Sequence, residues 1–300
     1  LRWRLAQRRD QDWLRELLPT ARPLVVSTLA AAIRRLVQMP TKQRVLITGA
    51  GGTIGTALRK HLNGRYDLKA LTLQPESFPS HVANIADLEA ILPAFVDIDA
   101  VVHLAASPAV DTPWEEILPN NLVGTYNVFE AARRQGVGAV VFASSNHAIG
   151  MYEMDGAPEI YEIDDPRCYD HTVEVRPDSL YGVSKVYGEA LGRYYHDRHA
   201  LRVYCLRIGA VRANDNPVAA EVFASSPTFL NLADEDSRRK RMRAVWFSQR
   251  DCAELVAACL EAKEVPWALV YGISANPGAF WDMTHARDLL GFEPQDSAPE

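Results

Sequence analysis

Arg44-Val-Leu-Ile-Thr48 is followed directly by Gly49-Ala-Gly-Gly-Thr-Ile-Gly55. The first five residues predict a buried strand, and a helical pattern begins at the end of the glycine segment. Glycines at 49, 52 and 55 allow a tight turn and let the backbone approach a pyrophosphate, which binds the free N–H groups at the start of the next helix. A glycine turn alone is weak support, but between a strand and a helix it predicts a dinucleotide site.

Short apolar runs alternate with helical patterns over the rest of the chain. Strands are predicted at residues 66–73, 100–104, 139–143, 202–208 and 268–273, and helices at residues 53–62, 88–95, 120–135, 181–199 and 248–262. Strands that are apolar throughout and separated by helices are typical of a parallel sheet covered on both faces. We therefore predict an α/β fold with a Rossmann-type doubly wound parallel sheet.

Two parts of the chain depart from this alternation. Residues 209–245 lose the regular pattern, so they and residues 273–300 are predicted to form a small C-terminal substrate-binding region, beside a cofactor part at 43–208. Residues 1–42 begin with several arginines, and Arg34 and Arg35 interrupt their apolar stretch. No cleavage site for a signal peptide follows clearly. We predict a helical extension that packs on the domain or on a neighbouring subunit, with a poorly ordered extension as the alternative.

Composition limits the classes of partner. The net charge of -6 and the pI of about 5.8 argue against nucleic acid or an anionic membrane. No apolar run approaches the roughly 20 residues of a membrane span. The four cysteines have no metal-binding spacing, and Cys252 and Cys259 are predicted to be buried free thiols. A cytoplasmic protein without a metal site is expected.

A serine and a Tyr-x-x-x-Lys pair follow the glycine loop. Ser145 ends the apolar run from Val140, and Tyr181-Gly-Val-Ser-Lys185 begins a predicted helix. A tyrosine with an ordinary pKa of about 10 is a poor base at neutral pH, but an ammonium one helical turn away favours its phenolate. Ser145 would orient a substrate hydroxyl toward Tyr181. These three residues are the predicted catalytic set of an oxidoreductase.

The choice between NAD and NADP stays open on the residues alone. An acidic residue usually ends the second strand and holds the adenosine ribose hydroxyls. Thr72 stands at this position, beside Leu73 and Gln74, so neither a carboxylate nor an arginine decides the preference. Asn84, after a presumed third strand, is predicted to bond the adenine edge.

These motifs together resemble a known superfamily from about Arg44 to Gln295. The chain is similar to the extended short-chain dehydrogenase/reductase superfamily, also called the NAD-dependent epimerase/dehydratase family. Uronate dehydrogenases are resembled by Phe142-Ala-Ser-Ser-Asn-His-Ala-Ile-Gly150 and Arg176-Pro-Asp-Ser-Leu-Tyr-Gly-Val-Ser-Lys185. NAD-dependent glucose-6-phosphate dehydrogenases are resembled by Tyr271-Gly-Ile-Ser274 and Leu290-Gly-Phe-Glu-Pro-Gln-Asp296. Both relatives oxidise the anomeric carbon of a pyranose to a lactone.

The resemblance implies the residues that contact cofactor and substrate. Expected cofactor contacts are Gly49, Gly52, Thr53, Ile54, Gly55, Thr72, Asn84, Ile85, Leu104, Ala105, Ala106, Asn121, Tyr181, Lys185 and Ile208. Expected substrate contacts are Ser107, Ser145, Asn146, His147, Tyr181 and Arg241. Arg241 corresponds to the arginine that binds the uronate carboxylate, although its planar fork suits a phosphate equally and a solvated basic stretch is the alternative. Two departures are Ala210, where the uronate enzymes have serine, and a longer segment at 211–240.

The predicted activity is oxidation of the C1 hydroxyl of a pyranose, with a hexuronate as the leading substrate and NAD as the implied cofactor. Three alternatives stay open: a glucose-6-phosphate or other aldose dehydrogenase, a nucleotide-sugar epimerase or dehydratase, and a non-catalytic dinucleotide sensor. The family commonly dimerises through the helices predicted at 120–135 and 181–199, so a homodimer is expected.

Overall fold

The computed structural model describes residues 42–219, 232 and 234–299. The chain divides into residues 1–42 and residues 43–300. The helical extension predicted for the first part lies outside the described residues and stays a prediction. Within the described ranges, none of the helices combines the length and hydropathy that a membrane span requires.

A parallel sheet forms the centre of the described part of the chain. Its seven strands are β1 (Arg44–Thr48), β2 (Asp67–Thr72), β3 (His81–Val82), β4 (Ala100–His103), β5 (Ala139–Ser145), β6 (Arg202–Ile208) and β7 (Trp267–Gly272). They lie in the order β3-β2-β1-β4-β5-β6-β7, and every neighbouring pair is parallel. This order confirms the predicted doubly wound sheet.

Helices of different length connect the strands. They are α1 (Thr53–His61), α2 (Leu88–Ile91), α3 (Trp114–Glu116), α4 (Gly124–Arg134), α5 (Gly150–Gly156), α6 (Leu180–His199), α7 (Glu235–Val245), α8 (Gln249–Glu261) and α9 (Thr284–Leu290). A π-helix at Ile117–Val123 joins α3 to α4 without a break.

The sheet has one apolar cluster on each face. One cluster contains Leu58 of α1 and Val256 of α8, and the other contains Phe129 of α4 and Tyr195 of α6. The central strands β4 and β5 are buried along their whole length because both of their faces are covered. Cys205, Cys252 and Cys259 are buried free thiols within these clusters, as predicted for the last two.

The segment predicted to be irregular up to residue 245 contains a helix in its last part. In α7, the side chain of Asp234 caps the helix by accepting a hydrogen bond from Ser237 N. Most of its residues are polar and only a few are buried, so no apolar stripe marks the helix in the sequence. Helix α7 packs with α5 and β7 around a third cluster that includes Met242 and Tyr271.

The strand order places a cleft between β1 and β4. The chain leaves β1 toward β2 on one side, while β4 leads toward β5 on the other. Ligands of doubly wound sheets bind at such a reversal, outside the carboxyl ends of the strands. The predicted homodimer stays a prediction, although its two helices expose apolar side chains such as Tyr126, Val183 and Tyr194.

Candidate active site

One cavity of about 720 Å³ opens at the carboxyl ends of the strands. Every predicted cofactor and substrate residue lines it except Asn121. The sequence motifs at the ends of β1, β4, β5 and β6 and at the start of α6 therefore meet in one place.

The glycine loop forms one wall of this cavity. Gly49 has a φ of +69°, and a Cβ there would lie 2.8 Å from Ala105 N, so the loop passes directly over the end of β4. A Cβ on Gly55 would lie 2.6 Å from Gly49 O. Helix α1 has Gly52 at its N-cap and no side-chain cap, which leaves its first N–H groups available to a diphosphate.

Beneath this wall, His103 links the ends of β1 and β4. Thr48 Oγ1 accepts hydrogen bonds from Leu104 N and Ala105 N, both at 3.2 Å, and lies 2.8 Å from His103 Nδ1. Its own hydrogen therefore points to Nδ1, and His103 Nε2 donates to Thr125 Oγ1 at 3.2 Å. Burial, with a smaller effect of the Lys185 charge, lowers the pKa of His103 to about 3, so the ring is neutral.

Asn121 positions a neighbour of the cavity instead of facing it. Its side chain accepts from Ser107 N at 2.8 Å and donates to Ser107 O at 3.1 Å and to Ser184 Oγ at 3.0 Å. The π-helix turns the adjacent Asn120 toward the cavity, where its Nδ2 donates to Ser107 Oγ at 2.9 Å. The sequence predicts that Asn121 contacts the cofactor directly. Its side chain is instead buried, and its hydrogen bonds hold Ser107 in place.

The predicted catalytic residues converge at the centre of the cavity. Ser145 is the last residue of β5, and Tyr181 lies in the first turn of α6. Ser179 caps that helix by accepting a hydrogen bond from Gly182 N at 3.0 Å. Lys185 follows one turn later, with its Nζ 5.3 Å from the centre of the Tyr181 ring. All three side chains line the cavity.

Burial shifts the pKa of both titratable members of the set. It raises the pKa of Tyr181 to about 12, while a hydrogen bond with Ser145 acts in the opposite direction and the Asp178 charge raises it further. Burial alone lowers the pKa of Lys185 to about 8. The sequence predicts that the Lys185 charge favours the Tyr181 phenolate. In the structure, desolvation acts against that phenolate because it raises the Tyr181 pKa.

A buried ion pair bonds to Ser144, the residue before the predicted catalytic serine. Glu189 of α6 binds Arg207 of β6 through two hydrogen bonds, with Nε–Oε1 at 3.0 Å and Nη2–Oε2 at 2.9 Å. Ser144 Oγ donates to Glu189 Oε1 at 2.5 Å. This network ties α6, which carries Tyr181 and Lys185, to the strands beneath it.

The expected substrate residues Asn146 and His147 lie directly after β5 and line the sugar end of the cavity. His147 Nδ1 lies 2.6 Å from Asp178 Oδ2, and the His147 ring contacts the Tyr181 ring edge-on at 5.8 Å. Asn146 Oδ1 accepts from Ser145 Oγ at 3.2 Å. Both residues are held against the catalytic set by local contacts.

Arg241 lines this end of the cavity and is ion-paired. Its Nε lies 2.7 Å from Glu153 Oε1, and its Nη2 lies 3.4 Å from Glu153 Oε2. Tyr161 Oη donates to the same carboxylate at 2.9 Å. Arg241 is thus not part of a solvated basic stretch, because its side chain is only 6% exposed. Arg212, from the segment after β6, lines the cavity beside it.

This arrangement agrees with a comparison against protein families. Residues 45–224 match the model of the NAD dependent epimerase/dehydratase family. The chain belongs to the NAD-dependent epimerase/dehydratase family.

Several members of this family are similar over most of the chain. NAD-dependent glucose-6-phosphate dehydrogenase from Haloferax volcanii is 39% identical over 269 residues, which cover 86% of this chain and 95% of the relative. L-arabinose 1-dehydrogenase (NAD(P)(+)) from the same organism is 37% identical over 260 residues, covering 85% and 97%. A crystal structure of a mutant uronate dehydrogenase from Agrobacterium tumefaciens, complexed with NAD, has a TM-score of 0.69 and 31% identity, covering 85% of this chain and 86% of that one.

The family's cofactor fits the residues at the adenosine end. Thr72 is buried, and its hydroxyl is used within the protein, since it lies 2.8 Å from Gln74 O and 2.9 Å from Ser80 Oγ. Glu76 reaches back to the glycine loop, where a Cβ on Gly51 would overlap its carboxylate. It lines the cavity and is exposed. Glu76 can hold ribose hydroxyls in place of the acidic residue that is missing at Thr72.

Three functional candidates were missed by the sequence argument: Glu76, Glu153 and Arg212. Glu76 stands four residues after Thr72, and it could have been found as the first carboxylate after β2. Arg212 lies in the predicted substrate segment, but no periodicity orients it. Glu153 belongs to α5, a helix that the sequence argument did not predict.

Proposed function

We propose that this protein oxidises the C1 hydroxyl of a pyranose to the lactone, with NAD as the cofactor. The observation that carries this proposal is the convergence of Ser145, Tyr181 and Lys185 on one cavity with the glycine loop. A sensor protein would need the loop alone, whereas this cavity has a complete set for proton and hydride transfer.

Bound NAD supplies the acceptor for the hydride that leaves C1. Ser145 Oγ and Tyr181 Oη bind the C1 hydroxyl, and Tyr181 takes its proton, so that a C1–O double bond forms as the C1–H and O–H bonds break. The Lys185 ammonium, 5.3 Å from the Tyr181 ring, favours the phenolate by its charge. Since the pKa of Tyr181 is about 12 and that of Lys185 about 8, the rate should rise from neutral pH to about pH 8, above which Lys185 loses the charge that favours the phenolate.

The leading substrate is a hexuronate. Asn146 and His147 stand directly after the catalytic serine and line the sugar end, as expected for a uronate dehydrogenase. The similarity to the solved uronate dehydrogenase of Agrobacterium tumefaciens supports this choice. The guanidinium groups of Arg212 and Arg241, which line the cavity, favour a substrate with a carboxylate.

Glucose 6-phosphate is the second candidate. The relative from Haloferax volcanii that bears this activity in its name is 39% identical to the chain. A phosphate binds to the same guanidinium geometry as a carboxylate. Ala210 lines the cavity at the position where uronate enzymes have serine, and this departure weakens the case for a uronate.

The experiment offers a panel of sugars to the protein and measures cofactor reduction by the absorbance of NADH or NADPH. Glucuronate, galacturonate, glucose 6-phosphate, glucose and L-arabinose are offered with NAD and, separately, with NADP. We expect turnover of an acidic pyranose with NAD, and a loss of about 10²–10⁴-fold in Tyr181→Phe, the size typical of general acid–base catalysis. Tyr194→Phe is the matched control, because Tyr194 is an exposed tyrosine of the same helix.

Two results would overturn the proposal. One is the absence of cofactor reduction with every free sugar, which would favour a nucleotide-sugar epimerase or a sensor. The other is a Tyr181→Phe variant with the parent's turnover, which would remove the catalytic assignment.

A further inference from the structure

The sugar end of the cavity has two guanidinium groups and one carboxylate. Arg241, Arg212 and Glu153 are the members of this set. Glu153 forms an ion pair with Arg241, in which Arg241 Nε lies 2.7 Å from Glu153 Oε1, and both side chains are almost fully buried. Because this pair is neutral as a unit, Arg241 offers little uncompensated charge to a ligand.

Arg212 is held in place by its backbone. The chain leaves β6 and pairs Ala210 with Trp246, where Ala210 N donates to Val245 O at 2.7 Å and Phe247 N donates to Ala210 O at 3.0 Å. Gln249 Nε2 then donates to Arg212 O at 2.8 Å. These contacts fix the start of the Arg212 side chain at the cavity wall.

Within the described part of the chain, the Arg212 side chain has almost no polar partner. Its Nη2 makes a weak contact with Met242 Sδ at 3.5 Å, and its Nε is buried without any hydrogen bond. Across residues 42–219, 232 and 234–299, no carboxylate lies within ion-pair distance of Arg212. Burial, together with the charge of Arg241, lowers the pKa of Arg212.

A partly buried cation that has no counter-charge among the described residues is unfavourable, and a second guanidinium beside it adds repulsion. An anion that enters the cavity would relieve both costs. The guanidinium fork binds a carboxylate or a phosphate through two parallel hydrogen bonds. Arg212 lines the same cavity as Ser145 and Tyr181, which hold the C1 hydroxyl in the proposed reaction, so the anion can belong to the same substrate.

We propose that Arg212 binds the anionic group of the substrate, while Arg241 with Glu153 forms the neutral wall behind it. This inference rests on the proposed function and deepens it. The substrate is then a pyranose that bears a carboxylate or a phosphate, and neutral aldoses are poor substrates.

The test compares Arg212→Met, Arg212→Lys and the control Arg198→Met, whose parent residue is exposed on α6. The measured quantity is the ratio of kcat/KM for an acidic sugar, glucuronate or glucose 6-phosphate, to kcat/KM for glucose. We expect Arg212→Met to lower this ratio by about tenfold to a hundredfold, mainly through KM, the scale of one hydrogen-bonded charge. Arg212→Lys should keep part of the preference for acidic sugars. Of glucuronate and glucose 6-phosphate, the one whose kcat/KM falls further in Arg212→Met is identified as the natural substrate class.

A binding measurement separates this inference from the proposed function. Glucuronate and glucose 6-phosphate are added to the protein with NAD, and the thermal unfolding midpoint is compared with that in glucose. An acid-specific rise that is present in the parent and in Arg198→Met but absent in Arg212→Met supports the inference, even if no sugar is oxidised. An equal rise in the parent and Arg212→Met, or an unchanged kcat/KM ratio, overturns it.

Discussion

Lys185 Nζ donates a hydrogen bond to the Ala143 carbonyl oxygen at 2.8 Å, inside the protein and one helical turn from Tyr181. This carbonyl at the end of β5 is the ammonium's hydrogen-bond partner among the described residues. Burial lowers the pKa of Lys185 to about 8 because its charged form is poorly solvated there. The proposed catalytic site thus keeps a cation that the fold itself disfavours.

Lys185→Met should therefore abolish turnover without lowering stability at pH 7. The buried charge is removed, although the Ala143 carbonyl loses its donor. The unfolded lysine has a pKa of about 10.4, above the folded value of about 8. Between these values the unfolded state binds more protons, so the parent becomes more stable as pH rises from 8 to 10.

Urea unfolding of the parent and of Lys185→Met at pH 7 and pH 10 measures this difference. The variant should lack the lysine's share of the stability gained on raising the pH. A variant that is clearly less stable than the parent at pH 7, with the same pH dependence, would contradict the view that the site carries a destabilising charge.

Glu189 and Arg207 should be coupled in their effect on stability, so that removing one of them costs more than removing both. Glu189→Met leaves the Arg207 guanidinium buried without its carboxylate and should cost about 3–5 kcal/mol in the free energy of unfolding. The double variant Glu189→Met/Arg207→Met removes both charges and should lose less. Urea denaturation of the parent, Glu189→Met, Arg207→Met and the double variant gives the comparison, and a double variant that loses the sum of both single losses would argue against coupling.

Glu76 should set the preference for NAD. Its carboxylate beside Gly51 can accept hydrogen bonds from ribose hydroxyls and would repel the additional phosphate of NADP. Glu76→Gln should raise the Kd for NADH and lower the Kd for NADPH, so that their ratio changes by about tenfold, the scale of one charge-assisted hydrogen bond. Fluorescence titration of the reduced cofactors measures both constants without turnover.

The control for this prediction is Glu264→Gln, since Glu264 is an exposed carboxylate beyond α8. A ratio of dissociation constants that is the same in Glu76→Gln and in the parent would show that another group selects the cofactor.

The sheet and most of the helices were predictable because their signals are local. Strands such as 139–143 are apolar throughout, and the long helix at 181–199 follows a capping serine and begins with the Tyr-x-x-x-Lys motif. The π-helix at Ile117–Val123 was not predictable, since an extra residue per turn leaves the composition unchanged. It turns Asn120 toward the cavity and Asn121 into the interior, the reverse of the expectation for Asn121.

The site was predictable where a motif has fixed spacing. Ser145, Tyr181, Lys185 and the glycine loop have such spacing, and the structure brings them to one cavity. Glu153 and Arg212 lie far apart in the chain, and neither has a motif of its own. Among the described residues, Glu153 is paired with Arg241, whereas Arg212 has no carboxylate partner. This difference depends on contacts in the folded chain that the sequence does not show.

The hydrogen bonds around His103 also determine where a proton can travel. Its two ring nitrogens are engaged by Thr48 and Thr125, and its pKa of about 3 keeps it from accepting a proton at neutral pH. Lys185 faces a carbonyl oxygen, which has no hydrogen to pass on. Among the described residues, these hydrogen bonds form no relay across the sheet beneath the site. In the proposed reaction, the proton taken by Tyr181 then leaves through the mouth of the cavity, the same opening that admits the sugar and releases the lactone.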